Sequence, residues 1–383
     1  MRDGFDGPVW ATEGTAALTE IVLRDSAHLN ERDAEHAARG GWSRHDPPLP
    51  LYTTPDVFRC LADFRTIVAG RTEQLGERAT VDVVRAGHVL GAVSVRIGVG
   101  ESSVLFSGDL GRPTHPVLRA RERPPAARTV VLESTYGDRV HPAVDGPGHE
   151  TLAEAVRRTV GRGGSVLIPA FAVDRTELVL RALGMLMREG RIPVVPVHVD
   201  SPMALAALAV YRRPSLRAEI RPDVGPDLVD LPSLHEARTV EQSMALNNPT
   251  MPCVIVSASG MATGGRVVHH LRHMLPDRRN TVVLTGYQAI GTRGRALLDG
   301  ASELKMHGRY VRVRAEVAHD DEFSVHADAD ELLGWLSQMP TLPETVYLNH
   351  GEAGSAEALA ARIRADLDIA VVVPRLGERV LLD

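Results

Sequence analysis

Cysteine is almost missing from this 383-residue chain, which has only Cys60 and Cys253, far apart and without metal-type spacing. That excludes a disulfide scaffold and a thiolate zinc motif, and it predicts two structural thiols in a reducing cytoplasm. Lysine is scarcer still: Lys305 stands alone among 43 basic residues, so nearly every cation is arginine. The planar guanidinium suits phosphate recognition, but the arginines are spread through surface-like stretches as well as motifs, as a bias toward GC-rich codons would spread them. No apolar run reaches the roughly 18 residues of a membrane span. The N-terminus lacks the basic-then-apolar layout of a signal peptide. There is no internal repeat and no low-complexity tract. A formal charge of −6 argues against a protein that coats nucleic acid generally, though it leaves room for a local basic cleft.

What is present is apolar content of 44%, enough over this length for two domains. Residues Thr15 to Arg39 carry Leu18, Ile21, Val22 and Leu29 at helical spacing. From Thr80 to Phe106 the pattern alternates at period two, with Gly100-Glu101 placed as a hairpin turn. After Thr129-Val130-Val131-Leu132 it changes. Helical stretches Glu150 to Val160, Asp174 to Glu189 and Ala204 to Tyr211 alternate with apolar runs at Ser165 to Pro169, Val194 to Val199, Cys253 to Val256 and Thr281 to Leu284. Such alternation implies a parallel sheet covered on both faces. Arg213 to Pro232 reads as an irregular excursion. From Arg309 strands return, followed by a helix from Asp328 to Gln338 and a strand from Glu344 to Leu348.

Four phrases carry chemistry. Leu105-Phe106-Ser107-Gly108-Asp109-Leu110-Gly111 puts a carboxylate at a strand tip. The others are Glu133-Ser134-Thr135-Tyr136-Gly137-Asp138, Phe323-Ser324-Val325-His326-Ala327-Asp328 and Leu348-Asn349-His350-Gly351-Glu352. His88 sits between Gly87 and Gly91, where glycine permits close backbone approach. His326 and His350 lie 24 residues apart, room for one helix and one strand returning to a sheet edge. Two Gly-rich phrases, Ser257-Ala258-Ser259-Gly260 through Gly264-Gly265-Arg266 and Gly286 through Gly291-Thr292-Arg293-Gly294-Arg295, follow strands. Each offers N–H groups, hydroxyls and an arginine to an anion. Phe171 and Tyr287 read as core aromatics rather than base-stacking ones, and His269 and His270 as structural or phosphate-proximal. Asp200-Ser201-Pro202 reads as a strand-to-helix turn.

In this order the phrases resemble the β-CASP branch of the metallo-β-lactamase-fold nucleases. The resemblance spans nearly the whole chain. It implies an α/β (α+β) fold: an αββα sandwich, incomplete at its N-terminus, holding an inserted parallel-sheet β-CASP domain. The expected division is 1–135 for the first part of the sandwich, 136–308 for the insert and 309–383 for the return. The resemblance further implies metal ligands at His88, Asp109 and His350, with Asp109 bridging two zinc ions, and an acid pair in which His326 protonates the leaving oxygen while Glu133 orients it. Phosphate contacts are implied at Ser257, Ser259, Gly260, Gly264, Arg266, Gly291, Thr292 and Arg295. The substrate it implies is single-stranded RNA, or DNA in some members; a homodimer is a further expectation.

Two departures qualify the likeness. Asp174 and Glu177 stand where the family commonly has Gly and Gln, and would weaken phosphate binding if they faced RNA. The HxHxDH run expected upstream of His88 is absent from the sequence; His28, His36 and His45, spaced by eight and nine, do not replace it. Three of seven usual ligands therefore remain, so zinc is expected to bind weakly or not at all and cleavage to be impaired. Met1 reads as a misplaced start or a truncation. Two other readings stay open: a metal-free RNA-binding or scaffold relative, and a hydrolase of small esters or thioesters. Endonuclease and exonuclease action are not distinguished.

Overall fold

The computed structural model describes residues 4–41, 43–142 and 148–381, which fall into two compact units. The first takes the chain up to Pro142, then Ala218–Arg221, then Val325 onward; the second takes the remainder up to Arg217 and Pro222–Ser324.

The first unit is built on a seven-stranded sheet. Its strands run Ala370–Val372, Thr345–Asn349, Thr129–Glu133, Ser102–Phe106, Val93–Val99, Ala79–Arg85 and Thr72–Leu75 in spatial order. The sequence from 72 to 106 forms an antiparallel meander because short connections join its strands, and Gly100 takes positive φ at the expected hairpin. The other half pairs in parallel. Period-two alternation sends Leu105, Val130, Leu132, Val346 and Leu348 to one face, where helices Ala329–Ser337 and Ala353–Leu367 cover them with Leu332, Trp335, Leu336, Leu359 and Ile363. Trp335 is fully buried and its indole N–H donates to the Glu122 carbonyl at 3.1 Å. A smaller cluster of Ile67, Val81 and Val83 forms toward the meander end. Besides this sheet the unit holds, among the described residues, one short parallel pair, Val9–Ala11 with Phe64–Thr66. The helix Glu13–Gly40, longer at both ends than its periodicity suggested, is capped by the Thr12 hydroxyl and ends at Gly41 with φ 66°.

The second unit contains six parallel strands in the order Leu234–Glu236, Val197–Asp200, Val254–Ser257, Val166–Pro169, Thr281–Thr285 and Glu316–Asp320. Its central strands are buried throughout and mostly apolar, with hydroxyl residues only at their ends, as coverage of both faces requires.

The boundaries differ from those expected. The expected return at 309 begins instead at Val325, because Glu316–Asp320 hydrogen-bonds alongside Thr281–Thr285 through five residue pairs and Arg309–Arg312 folds back on Glu303–Met306. The first break falls after Pro142 rather than 135. The excursion is not wholly irregular: Pro214–Glu219 is a 3-10 helix, and Ala218–Arg221 joins the first unit through Arg119 N–H to Glu219 O and Arg221 N–H to Val117 O, both 2.9 Å.

Trp335→Ala should empty a closed cavity and orphan the Glu122 carbonyl, a loss of about 3–5 kcal/mol by analogy with aromatic core truncations. Urea unfolding followed by circular dichroism measures this; an unchanged midpoint would show that Trp335 is not part of a rigid core.

Candidate active site

Four loops converge because four strands end at one edge. Ala79–Arg85, Ser102–Phe106, Thr129–Glu133 and Thr345–Asn349 point the same way in the sheet. Their carboxyl ends therefore deliver His88, Asp109, Glu133 and His350 side by side, with Glu133 paired opposite Asn349 in register. His326 arrives on a different route. The segment after Ser324 runs antiparallel to 110–112, through Arg112 N–H to Val325 O at 2.9 Å and Ala327 N–H to Leu110 O at 2.7 Å.

The loop around His88 is clamped. Gly111 N–H donates to Ala86 O at 2.9 Å. The Thr12 and Thr15 hydroxyls both donate to Gly91 O, at 2.7 and 2.9 Å. A β-carbon at Gly111 would lie 1.8 Å from Gly87 O, so only glycine lets the two loops touch. The His88 and His326 rings stand 4.2 Å apart between centroids.

Asp109 divides its oxygens between two histidines: Oδ2 lies 3.9 Å from His88 Nε2, and Oδ1 lies 3.3 Å from His350 Nδ1. Donor atoms of His88, Asp109 and His326 lie within 4.8 Å of one another, as do those of Asp109, Glu133 and His350. Imidazole nitrogens around a shared carboxylate are the donor chemistry of a hydrolytic metal site, and a carboxylate that faces two ways can bridge two ions. Asp109 is the member common to both sets, with His88 in one and His350 in the other, so the donors present fit a metal at this carboxylate.

Glu133 is 1% exposed and ends its strand. His326 Nδ1 lies 3.3 and 3.2 Å from its two oxygens, and Leu110 N–H donates to Oε1 at 2.6 Å. Burial alone would raise its carboxyl, but the hydrogen bond and charge of His326, joined by Thr135 and the Leu110 amide, outweigh it and hold Glu133 below the ordinary glutamate value. Asp109 goes the other way: burial and the neighbouring Glu133 charge raise it, against the pull of His350 and His326.

Sequence reasoning missed several supporting groups. Thr135 Oγ1 lies 3.2 Å from His350 Nδ1, and His141 Nε2 lies 3.1 Å from the His326 carbonyl. Thr135 stands inside a quoted phrase; His141 follows one by only a few residues and carries no spacing signal.

The Gly-rich phrases lie in the second unit, on loops at the carboxyl edge of its sheet. They are joined by Gly294 N–H to Met261 O at 3.0 Å and by Arg293 to the Ala262 and Thr263 carbonyls at 3.2 and 2.9 Å. Not every expected phosphate contact is available there. Ser257 is buried and donates to Asp200 O, and Gly260 is closed off by Phe171. The Arg266 guanidinium is bound to Asp200 Oδ1 at 2.6 Å and to the Ala237 carbonyl, while Arg295 pairs with Asp299. Gly264 and Gly291 are exposed; Ser259 is half-buried with its hydroxyl 3.0 Å from that of Thr263, and the Thr292 hydroxyl is taken by the Ala289 carbonyl and the Arg295 amide. Phe171, read as a core aromatic, is 40% exposed. His270 is structural: it is buried, with Nε2 2.6 Å from Asp200 Oδ2. Asp174 and Glu177 are buried too, so neither faces solvent.

Sheet, loop edge and donor set together define a hydrolase that works with bound metal. Residues 176–297 match the Beta-Casp domain and residues 310–374 match the Zn-dependent metallo-hydrolase RNA specificity domain. The chain is 35% identical to Ribonuclease TTHA0252 of Thermus thermophilus over 390 residues, covering 99% of this chain and 83% of that protein. It is 28% identical to an RNase J-like protein of Methanocaldococcus jannaschii, covering 96% and 82%. With the transcription termination factor FttA of Methanosarcina mazei it shares 36% identity, covering 96% of this chain and 58% of that longer protein. The chain belongs to the β-CASP family of metal-dependent ribonucleases.

Gly111→Ala should force apart the loops that carry His88 and Asp109. Stability is expected to fall by about 1–3 kcal/mol, the range for overpacking, together with metal affinity at the site. Thermal unfolding and zinc titration check this; a variant with unchanged midpoint and affinity would show that the contact is not needed.

Proposed function

We propose that this site cleaves phosphodiester bonds of single-stranded RNA, with His88, Asp109 and His350 as zinc ligands and His326 with Glu133 as the leaving-group acid. The observation that carries the reading is the Glu133–His326 pair beside a bridging-type aspartate, at 3.2 Å with the carboxylate buried and the imidazole partly exposed. A metal held there supplies an activated water and neutralises phosphoryl charge. The chain's own groups do the rest. His326 Nδ1 is held by Glu133, which leaves Nε2 to give a proton to the departing oxygen, and the ionised carboxylate stabilises the charged imidazole. Because Glu133 is pinned by the Leu110 amide, the imidazole is oriented before substrate arrives. Gly264, Gly291 and the half-buried Ser259 are the loop groups offered to RNA phosphates in the second unit, with Phe171 available to stack on a base.

A scaffold relative without catalysis is the second reading, and the Glu133–His326 pair speaks against it, since binding alone has no use for an oriented acid. DNA as substrate, a homodimer and cytoplasmic residence stay with the proposal as secondary expectations, to be tested with labelled single-stranded DNA, light scattering and cell fractionation.

Ligand arithmetic sets the expected activity. With His88, Asp109 and His350 alone, the 383-residue polypeptide should hold zinc weakly and cut slowly. That cutting, followed on labelled single-stranded RNA, should be chelator-sensitive. His326→Ala should lose about 10²–10⁴-fold in cleavage, the usual worth of a general acid, while keeping what zinc is bound; Asp109→Ala should lose both. Normal cutting by His326→Ala would remove it as the acid. Two tightly bound zinc ions would overturn the ligand count.

A further inference from the structure

We propose a second cation site in the second unit, formed by His149, Asp320 and Glu322 and separate from the catalytic edge. One donor atom from each residue lies within 4.8 Å of the others. His149 precedes the helix Glu150–Gly161, whereas Asp320 ends the last strand of the parallel sheet and Glu322 lies in the short 3-10 turn after it. The site therefore joins the beginning and the end of the inserted unit.

The donors are prepared for an ion rather than for one another. Asp320 is 1% exposed. Its Oδ1 accepts the Glu322 amide at 3.0 Å, but its Oδ2 is buried without a hydrogen-bond partner. His149 Nδ1 lies 3.4 Å from that oxygen and is likewise buried without a hydrogen-bond partner. The imidazole cannot turn away freely, since it stacks on Phe323 at 4.2 Å with 24° between planes. Glu322 Oε1 accepts the His149 amide at 2.9 Å, which brings the second carboxylate to the same place. A buried carboxylate oxygen left unpaired is unfavourable, and a cation meets that need. One imidazole with two carboxylates suits a first-row divalent ion of the manganese-to-zinc range, with water completing its shell, better than magnesium, which favours all-oxygen shells.

The test uses the 383-residue chain carrying His88→Ala and Asp109→Ala, so that the catalytic edge no longer contributes. After chelation and dialysis it is titrated calorimetrically with Mn²⁺, Zn²⁺ and Mg²⁺, and its metal content is read by mass spectrometry. One equivalent of Mn²⁺ or Zn²⁺ is expected, with Mg²⁺ at least tenfold weaker. Adding Asp320→Asn, which keeps the shape, should abolish it. Should that variant fail to fold, His149→Gln removes the nitrogen donor from a part-exposed position and should weaken binding at least tenfold, with thermal unfolding confirming the fold. No bound metal in the starting variant, or metal retained after either substitution, would overturn the site and leave a plain histidine–aspartate contact.

Discussion

One buried carboxylate organises the first unit. Glu133 sits where a core strand ends, sealed from water, and every group it can bond belongs to the site: the Leu110 amide, the His326 ring and, through the register of its strand, the neighbourhood of His350. An ionised carboxylate in such a place is tolerable only when donors surround it. The loop bearing Asp109 and the segment bearing His326 are thus not free to drift: each supplies a donor that the burial of Glu133 demands. Geometry at the catalytic edge follows from solvation at its centre.

The second unit solves a like problem differently. Asp200, also buried, is surrounded by His270, Ser243 and Arg266, whose hydrogen bonds overcome its burial and keep it below the ordinary aspartate value. That network ties the strand Val197–Asp200 to the helix after the first Gly-rich loop, and it explains why an arginine beside a glycine-rich turn is not offered to solvent. Glu177 is the opposite case. Burial, reinforced by Asp174, pushes its carboxyl well above the usual range, which fits a neutral acid inside the helix Arg175–Arg188 rather than an anion near nucleic acid.

Strand alternation made the meander legible in sequence, and apolar runs made the parallel sheet legible. The five chemical residues could be named because four of them stand at or just beyond a strand end and the fifth, His326, lies inside a quoted phrase. Three things were hidden. The insert's last strand, Glu316–Asp320, reads as a mixed segment with charged ends, and only its pairing with Thr281–Thr285 assigns it to the second unit. The fate of Arg266 depends on Asp200, 66 residues away, which spacing does not reveal. The alanine-rich helix Ala353–Leu367 lacks the hydrophobic periodicity that would mark it.

The parallel pairing of Thr345–Asn349 with Thr129–Glu133 has a consequence for the order in which the chain acquires its structure. The Thr135–His350 contact spans 215 residues of sequence, a closure that a loose chain reaches slowly. The insert shortens that search, because its first and last described turns abut where the His149 amide meets Glu322. Once folded, it returns the chain close to where it left. During synthesis the meander and the insert can each form as they emerge, and the catalytic edge is completed last, when the final helices and strands arrive. A substitution that loosens the insert would then delay an active centre built from residues of the other unit.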